Sequence, residues 1–243
     1  MRFAATPATV VAVGLGWIGA LVIGAPALAV RAIPTDEICV IDDARARELS
    51  GLVATATGYV AVNDSQDASA DMRVLYLDAA CKVTRTVAYP TSARDPEDLA
   101  VAADGTIWVA DTGDNVTNQD RRRTIALWRL PADGGEPVIH RLTYPDGPHD
   151  AEALLFTADG QPLIITKETS GHAGLYQPSG PLQPQTTDGV ALTRVGEFQP
   201  RANGENNVLG TIGELLVTGA AMAPDRSKVA LRTYTAAYEW DLP

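Results

Sequence analysis

A short unit recurs along this sequence, and a chain built on such a repeat buries its apolar faces only by stacking the copies. The first copy reads Glu48-Leu-Ser-Gly-Leu52, then Gly58-Tyr-Val-Ala-Val-Asn-Asp64. The second reads Asp95-Pro-Glu-Asp-Leu99, then Gly105-Thr-Ile-Trp-Val-Ala-Asp111, and the third Asp150-Ala-Glu-Ala-Leu154, then Gly160-Gln-Pro-Leu-Ile-Ile-Thr166. A degraded fourth runs from Thr218 to Met222 and continues as Lys228-Val-Ala-Leu-Arg232. Leu52, Leu99, Leu154 and Met222 serve as anchors, and in the first three copies a glycine follows six residues later. Strand, turn, strand at this period predicts an all-β fold, a β-propeller with one blade per unit.

Weaker strands follow at 73–77 and 83–89 in the first unit and at 124–130 and 138–144 in the second, which makes four-stranded blades. The fourth unit offers 214–222, 228–234 and 237–242. The strand-like stretch 37–41 could supply its missing outer strand and close a four-bladed ring. The alternative is an incomplete larger propeller.

Two segments organise the chain: a signal sequence over 1–29 and the propeller over 30–243. Arg2 is the one charge before Arg31, an apolar stretch spans about 8–25, and Ala27-Leu-Ala29 is an A-x-A cleavage site. An uncleaved anchor is the competing reading of those residues. Cleavage would leave no membrane span and a secreted or extracytoplasmic protein. Loss of Arg2 would take the net charge from −11 to −12. That acidity, with 6% aromatic residues, argues against nucleic acid as a partner. Cys39 and Cys81 are the two cysteines, and export predicts a disulfide between them.

In a propeller, the start of each inner strand and the end of the next lie at one rim of the channel. The inner starts carry Glu48 and Ser50, Asp95 and Glu97, Asp150 and Glu152, and Thr218 and Ala220. The returning ends add Asn63 and Asp64, then Asp111, Asp114 and Asn115, then Lys167, Glu168 and Arg232. Clustered carboxylates repel unless a cation sits among them, and Ca²⁺ prefers such oxygen donors. Glu48, Asp95, Glu97, Asp111, Asp150 and Glu152 are therefore the candidate metal ligands, with Lys167 and Arg232 as candidate contacts to an anionic ligand. Rim acids that only solvate turns are the competing reading. Asp111-Thr-Gly-Asp-Asn115 has Ca²⁺-loop spacing without the closing glutamate, or else is a strand-ending turn. His149 beside Asp150 and Glu152 fits a turn, a metal ligand or acid/base work. Arg121-Arg-Arg123 reads as an exposed loop balancing Asp114 and Asp120. G-x-S-x-G, the P-loop and H-E-x-x-H are all absent from the sequence.

The strings Trp108-Val-Ala-Asp-Thr-Gly-Asp-Asn115, Arg141-Leu-Thr-Tyr-Pro-Asp-Gly-Pro-His-Asp-Ala-Glu-Ala-Leu154 and Val229-Ala-Leu-Arg-Thr-Tyr234 resemble a group of uncharacterised secreted actinobacterial β-propeller proteins, and more distantly the phytase-like and SdiA-regulated propellers. The resemblance implies a signal peptide and a propeller, carries over no catalytic residues, and makes this chain look short at its C-terminus. Ala221 and Arg226 stand where the group reads Asp and Gly. Two functions follow. One is a non-catalytic propeller of the cell envelope, holding Ca²⁺ at its rim and binding a small ligand or an envelope protein. The other is a metal-dependent hydrolase of phosphate esters or lactones.

Overall fold

The computed structural model describes residues 37–64, 72–132, 135–205 and 207–242, together with the backbone of Leu21–Gly24. Among the described residues the chain is all-β apart from one short helix, α1 (Thr211–Leu215), and its strands form four consecutive propeller blades. The first blade is β2 (Leu49–Thr55), β3 (Gly58–Asn63), β4 (Arg73–Asp78) and β5 (Val83–Ala88). The second is β6 (Pro96–Val101), β7 (Ile107–Asp111), β8 (Ile125–Leu130) and β9 (Val138–Thr143). The third is β10 (Ala151–Phe156), β11 (Pro162–Thr166), β12 (Ala173–Pro178) and β13 (Val190–Gln199). The fourth, β14 (Val217–Met222), β15 (Lys228–Thr233) and β16 (Ala237–Asp241), has three strands among the described residues. Every neighbour within a blade is antiparallel, and a short parallel bridge joins the outer strands β9 and β13.

Blades stack by burying the apolar faces that they turn towards one another. Val60, Val62 and Val74 of the first blade pack on Leu99, Val109 and Trp128 of the second. Ile125, Leu127 and Leu142 of the second meet Leu154, Ile164 and Tyr176 of the third. Leu155, Ile165 and Phe198 of the third meet Val217 and Leu231 of the fourth. The other face of the first blade, with Ala61, Leu75 and Leu77, packs instead on Cys39, Ile41 and Ala46.

That last contact corrects the expected ring closure. Residues 37–41 form no strand; Cys39 is disulfide-bonded to Cys81 at the β4–β5 turn, and the segment lies across the first blade. The face of the fourth blade turned away from the third carries Lys228, Arg232 and Glu239. From there Arg232 Nη2 donates to Ser50 O of the first blade at 3.2 Å. The expected signal sequence lies outside the described residues except for Leu21–Gly24 (β1), which runs parallel beside β13. No helix among the described residues is long and apolar enough to cross a membrane.

Every inner strand also carries an irregularity that strict alternation does not anticipate. Pairing slips by one residue between Leu49 and Leu52, Pro96 and Asp98, Ala151 and Ala153, and Val217 and Gly219. These are β-bulges, which re-aim side chains beside a site. They also reset the fourth repeat. Gly219 pairs with Arg232 as Asp98 pairs with Ala110 and Ala153 with Ile165, so the fourth anchor is Ala220 rather than Met222.

Candidate cation site at the channel rim

The bulges place Ser50, Glu97, Glu152 and Thr218 at equivalent positions of the four inner strands. Glu97 is buried at 4% exposure, and its neighbour Asp98 is equally buried; in a regular strand the two would face opposite ways. Around Glu97 the structure gathers two groups of carboxylates, Asp64, Asp95 and Glu97 on one side and Glu97, Asp150 and Glu152 on the other. Within each group the oxygens lie within 4.8 Å of one another. Three blades contribute. The rim side of each is pinned by backbone bonds: Asp64 N to Glu48 O at 2.7 Å, Gly113 N to Asp95 O at 3.1 Å, and Lys167 N to Asp150 O at 2.8 Å.

Gly113 is a glycine for a reason of space. A Cβ there would collide with Asp95 Oδ2 and Glu97 Oε1, so the missing side chain keeps the middle of the cluster open. Ser50 Oγ donates to Glu97 Oε2 at 2.9 Å, and the Lys167 ammonium pairs with Glu152 and lies 3.9 Å from Asp150 Oδ2.

Burial, reinforced by the charges of Glu152, Asp64 and Asp95 and offset by Ser50, pushes the Glu97 carboxyl up to about 10. Burial also raises Glu152, against the pull of Lys167, and Asp150, against its bond from the Asp114 N–H. Burial works against the Lys167 ammonium, but Glu152 and Asp150 hold it above the ordinary lysine range. One step deeper, Asp98 Oδ2 accepts from Leu154 N at 2.8 Å and Ala220 N at 3.1 Å, tying three inner strands together. Burial lifts Asp98 to about 7, opposed by those backbone bonds and that of Leu99.

Of the residues picked out by sequence, Asp95, Glu97, Asp150 and Glu152 come together, with Lys167 beside them. Asp64, noted in the sequence as a strand end, joins them. Glu48 is exposed and lies outside both groups. So does Asp111, whose oxygens accept from Asp95 N at 3.0 Å, Arg122 Nη1 at 2.9 Å and Trp128 Nε1 at 3.1 Å. Arg232 reaches the Ser50 carbonyl. Ala220 and Thr218 add no carboxylate. Asp111–Asn115 is a strand-ending latch, with Asp114 paired to Arg121 at 2.7 Å and its N–H donating to Asp150 Oδ1 at 2.9 Å. The Arg121–Arg123 run is not an exposed loop throughout, since Arg122 is buried against Asp111.

His149 is more than a turn residue. Its Nδ1 lies 2.7 Å from Glu168 Oε1 and its Nε2 3.1 Å from Asp146 Oδ1, and Glu168 and Asp146 raise its pKa against partial burial. It clamps the loop before β10 to the end of β11.

The donors around Glu97 are hard oxygens, five carboxylates with the Ser50 hydroxyl close by, and that set suits Ca²⁺, Mg²⁺ or Mn²⁺ rather than a thiophilic metal. No protein-family model matches this sequence. No curated protein matches it. Among solved structures it is similar to a streptogramin B lyase at 15% identity, over 81% of this chain and 55% of that one, with a TM-score of 0.39. It is also similar to virginiamycin B lyase from Staphylococcus aureus at 14% identity, over 81% and 70%, with a TM-score of 0.40. A gluconolactonase from Xanthomonas campestris matches at 15% identity, over 76% and 68%, with a TM-score of 0.39. The chain spans about half the length of the streptogramin B lyase.

Proposed function

We propose that this chain is an exported propeller that holds one hard divalent cation at the rim of its channel, Ca²⁺ by the chemistry of its donors. The observation that carries this reading is Glu97, a buried carboxyl common to both acid groups. Without a cation it has to keep a proton at neutral pH. Asp64, Asp95, Glu97, Asp150 and Glu152 would hold a divalent ion, whose charge would replace that proton and offset the repulsion among the carboxylates. The Cys39–Cys81 disulfide supports an oxidising compartment. The test is a thermal melt of the oxidised chain, first chelated and then returned to millimolar Ca²⁺. Saturation at 100 times Kd stabilises a native state by about 2.7 kcal/mol. The melting temperature is expected to rise in the wild type and not in E97Q. A cooperative transition that Ca²⁺, Mg²⁺ and Mn²⁺ all leave unmoved overturns the reading.

A second reading rests on the Lys167–Glu152 pair at the edge of the cluster. A bound divalent ion lowers the pKa of water and polarises an ester or phosphoryl oxygen. Glu152 would then take the proton of the attacking water, while Lys167 would face the oxyanion that forms as water adds to a lactone carbonyl, or the anionic oxygens of a phosphate monoester. A panel of such esters separates the two readings. Hydrolysis that needs the added ion, and that K167M abolishes while the Ca²⁺-induced rise in melting temperature remains, establishes the hydrolase. An inert panel leaves a binding propeller.

A further inference from the structure

The far end of the channel, beyond Asp98, has the opposite chemistry. Along β6 the order is Asp95, Glu97, Asp98, Leu99, and along β10 it is Asp150, Glu152, Leu154, so the acid layer gives way to an apolar one. There the four inner strands line a cavity of about 570 Å³, within the roughly 300–1,000 Å³ of small-molecule sites. Leu52, Val101, Leu155, Phe156 and Met222 supply its apolar wall. Among the described residues, its one charged lining side chain is Arg226.

Arg226 is out of place by the rule of the repeat. With Ala220 as the fourth anchor, it stands six residues on, where the other blades carry Gly58, Gly105 and Gly160. The turn confirms the equivalence. Gly105 N donates to Ala102 O, Gly160 N to Thr157 O and Arg226 N to Ala223 O. Gly105 and Gly160 have φ 80 and 79, and Arg226 has φ 59. An arginine thus occupies the left-handed backbone that a glycine would adopt without strain. A strained residue at a cavity is grounds for asking what it holds. Its Nη2 donates to Thr157 O of the third blade at 3.1 Å, which ties the side chain to the neighbouring blade, and Arg226 also lines the cavity.

We propose that this cavity binds a small amphiphile with an apolar body and a carboxylate end, the body among Leu52, Leu155, Phe156 and Met222 and the carboxylate on Arg226. A guanidinium offers five N–H donors in a fork that matches a carboxylate, and one of them is used by Thr157. A guanidinium at an otherwise apolar lining selects an anionic end group over a neutral one. This inference does not depend on the cation at the opposite rim.

The test is calorimetric titration of the oxidised full chain with decanoate below its micellar range, with decanol as the neutral control. Submillimolar binding of decanoate is expected, with decanol at least tenfold weaker. R226G restores the residue of the other blades and is expected to melt at the same temperature or higher while binding decanoate at least tenfold more weakly. A221F fills the cavity with Arg226 in place and is expected to lose binding too. The proposal is overturned if the wild type gives no decanoate heat at millimolar concentration, if R226G or A221F binds as tightly as the wild type, or if decanol binds as well as decanoate.

Discussion

Glu97 sets how the protein responds to pH. Its folded pKa of about 10 lies above the ordinary 4.5, and that of Asp98, about 7, lies above 3.8. A group whose folded pKa is raised contributes stability that is complete below its unfolded pKa and lost as pH rises through the folded one. The ion-free protein should therefore be most stable near pH 4 to 5 and weaken through pH 7 towards 10. His149, also raised, adds a loss of the same sign above its ordinary 6.5. Ca²⁺ needs the deprotonated carboxylates, so the rise in melting temperature it causes should grow over the same range. Melts in chelator and in Ca²⁺ at unit steps of pH check this; a flat profile in chelator contradicts the burial of Glu97. E97Q should remove most of the slope above pH 7. Gly113→Ala tests the space rather than the charge. Its Cβ meets Asp95 and Glu97, so overpacking should cost about 1–3 kcal/mol and Ca²⁺ affinity should fall at least tenfold by titration.

At the level of strands, Asp111 separates support from site. Its carboxylate ends β7 and anchors the Arg122 guanidinium, the Trp128 indole and the backbone entering β6. Removing one partner of a buried ion pair costs about 3–5 kcal/mol because the other charge is left uncompensated. Asp111→Ala should lose that much in a denaturant melt, while R122M with Asp111 intact should lose less Ca²⁺ response than E97Q. The strand pattern itself was readable. Short apolar runs bounded by turn residues mark β3, β4, β7, β8, β11 and β15 closely, because in the first three blades the central strands are buried on both faces and the runs are continuous. The bulges were not readable, since an extra residue leaves no mark in composition. For that reason Glu97 and Asp98 both facing inward, and the true register of the fourth unit, had to come from backbone pairing. Glu48 and Asp111 share residue type and approximate position with the true cluster. What separates them from it is where a bulge or a buried arginine directs the carboxylate, which neither spacing nor charge encodes.

For the molecule as a whole, the seam between the fourth and first blades differs from the other three. Apolar clusters weld first to second, second to third and third to fourth. The corresponding face of the first blade is covered by residues 39–46 and the Cys39–Cys81 disulfide. Among the described residues the fourth blade's outermost strand is β16, where Glu239 and Asp241 pair with Lys228, charges that discourage edge-to-edge pairing. The disulfide closes a sequence separation of 42, worth about 4 kcal/mol in the chain-entropy model. Its loss should act locally, because the described part of the segment it ties down packs on the first blade. C39A/C81A should therefore lose about 4 kcal/mol in a denaturant melt, and hydrogen exchange should quicken first in β4 and β5, with β8 and β12 keeping their protection. Uniform loss of protection across all four blades would instead show that the covered face holds the ring together. Were that so, the segment would do for the seam what an outer strand does when it closes a propeller.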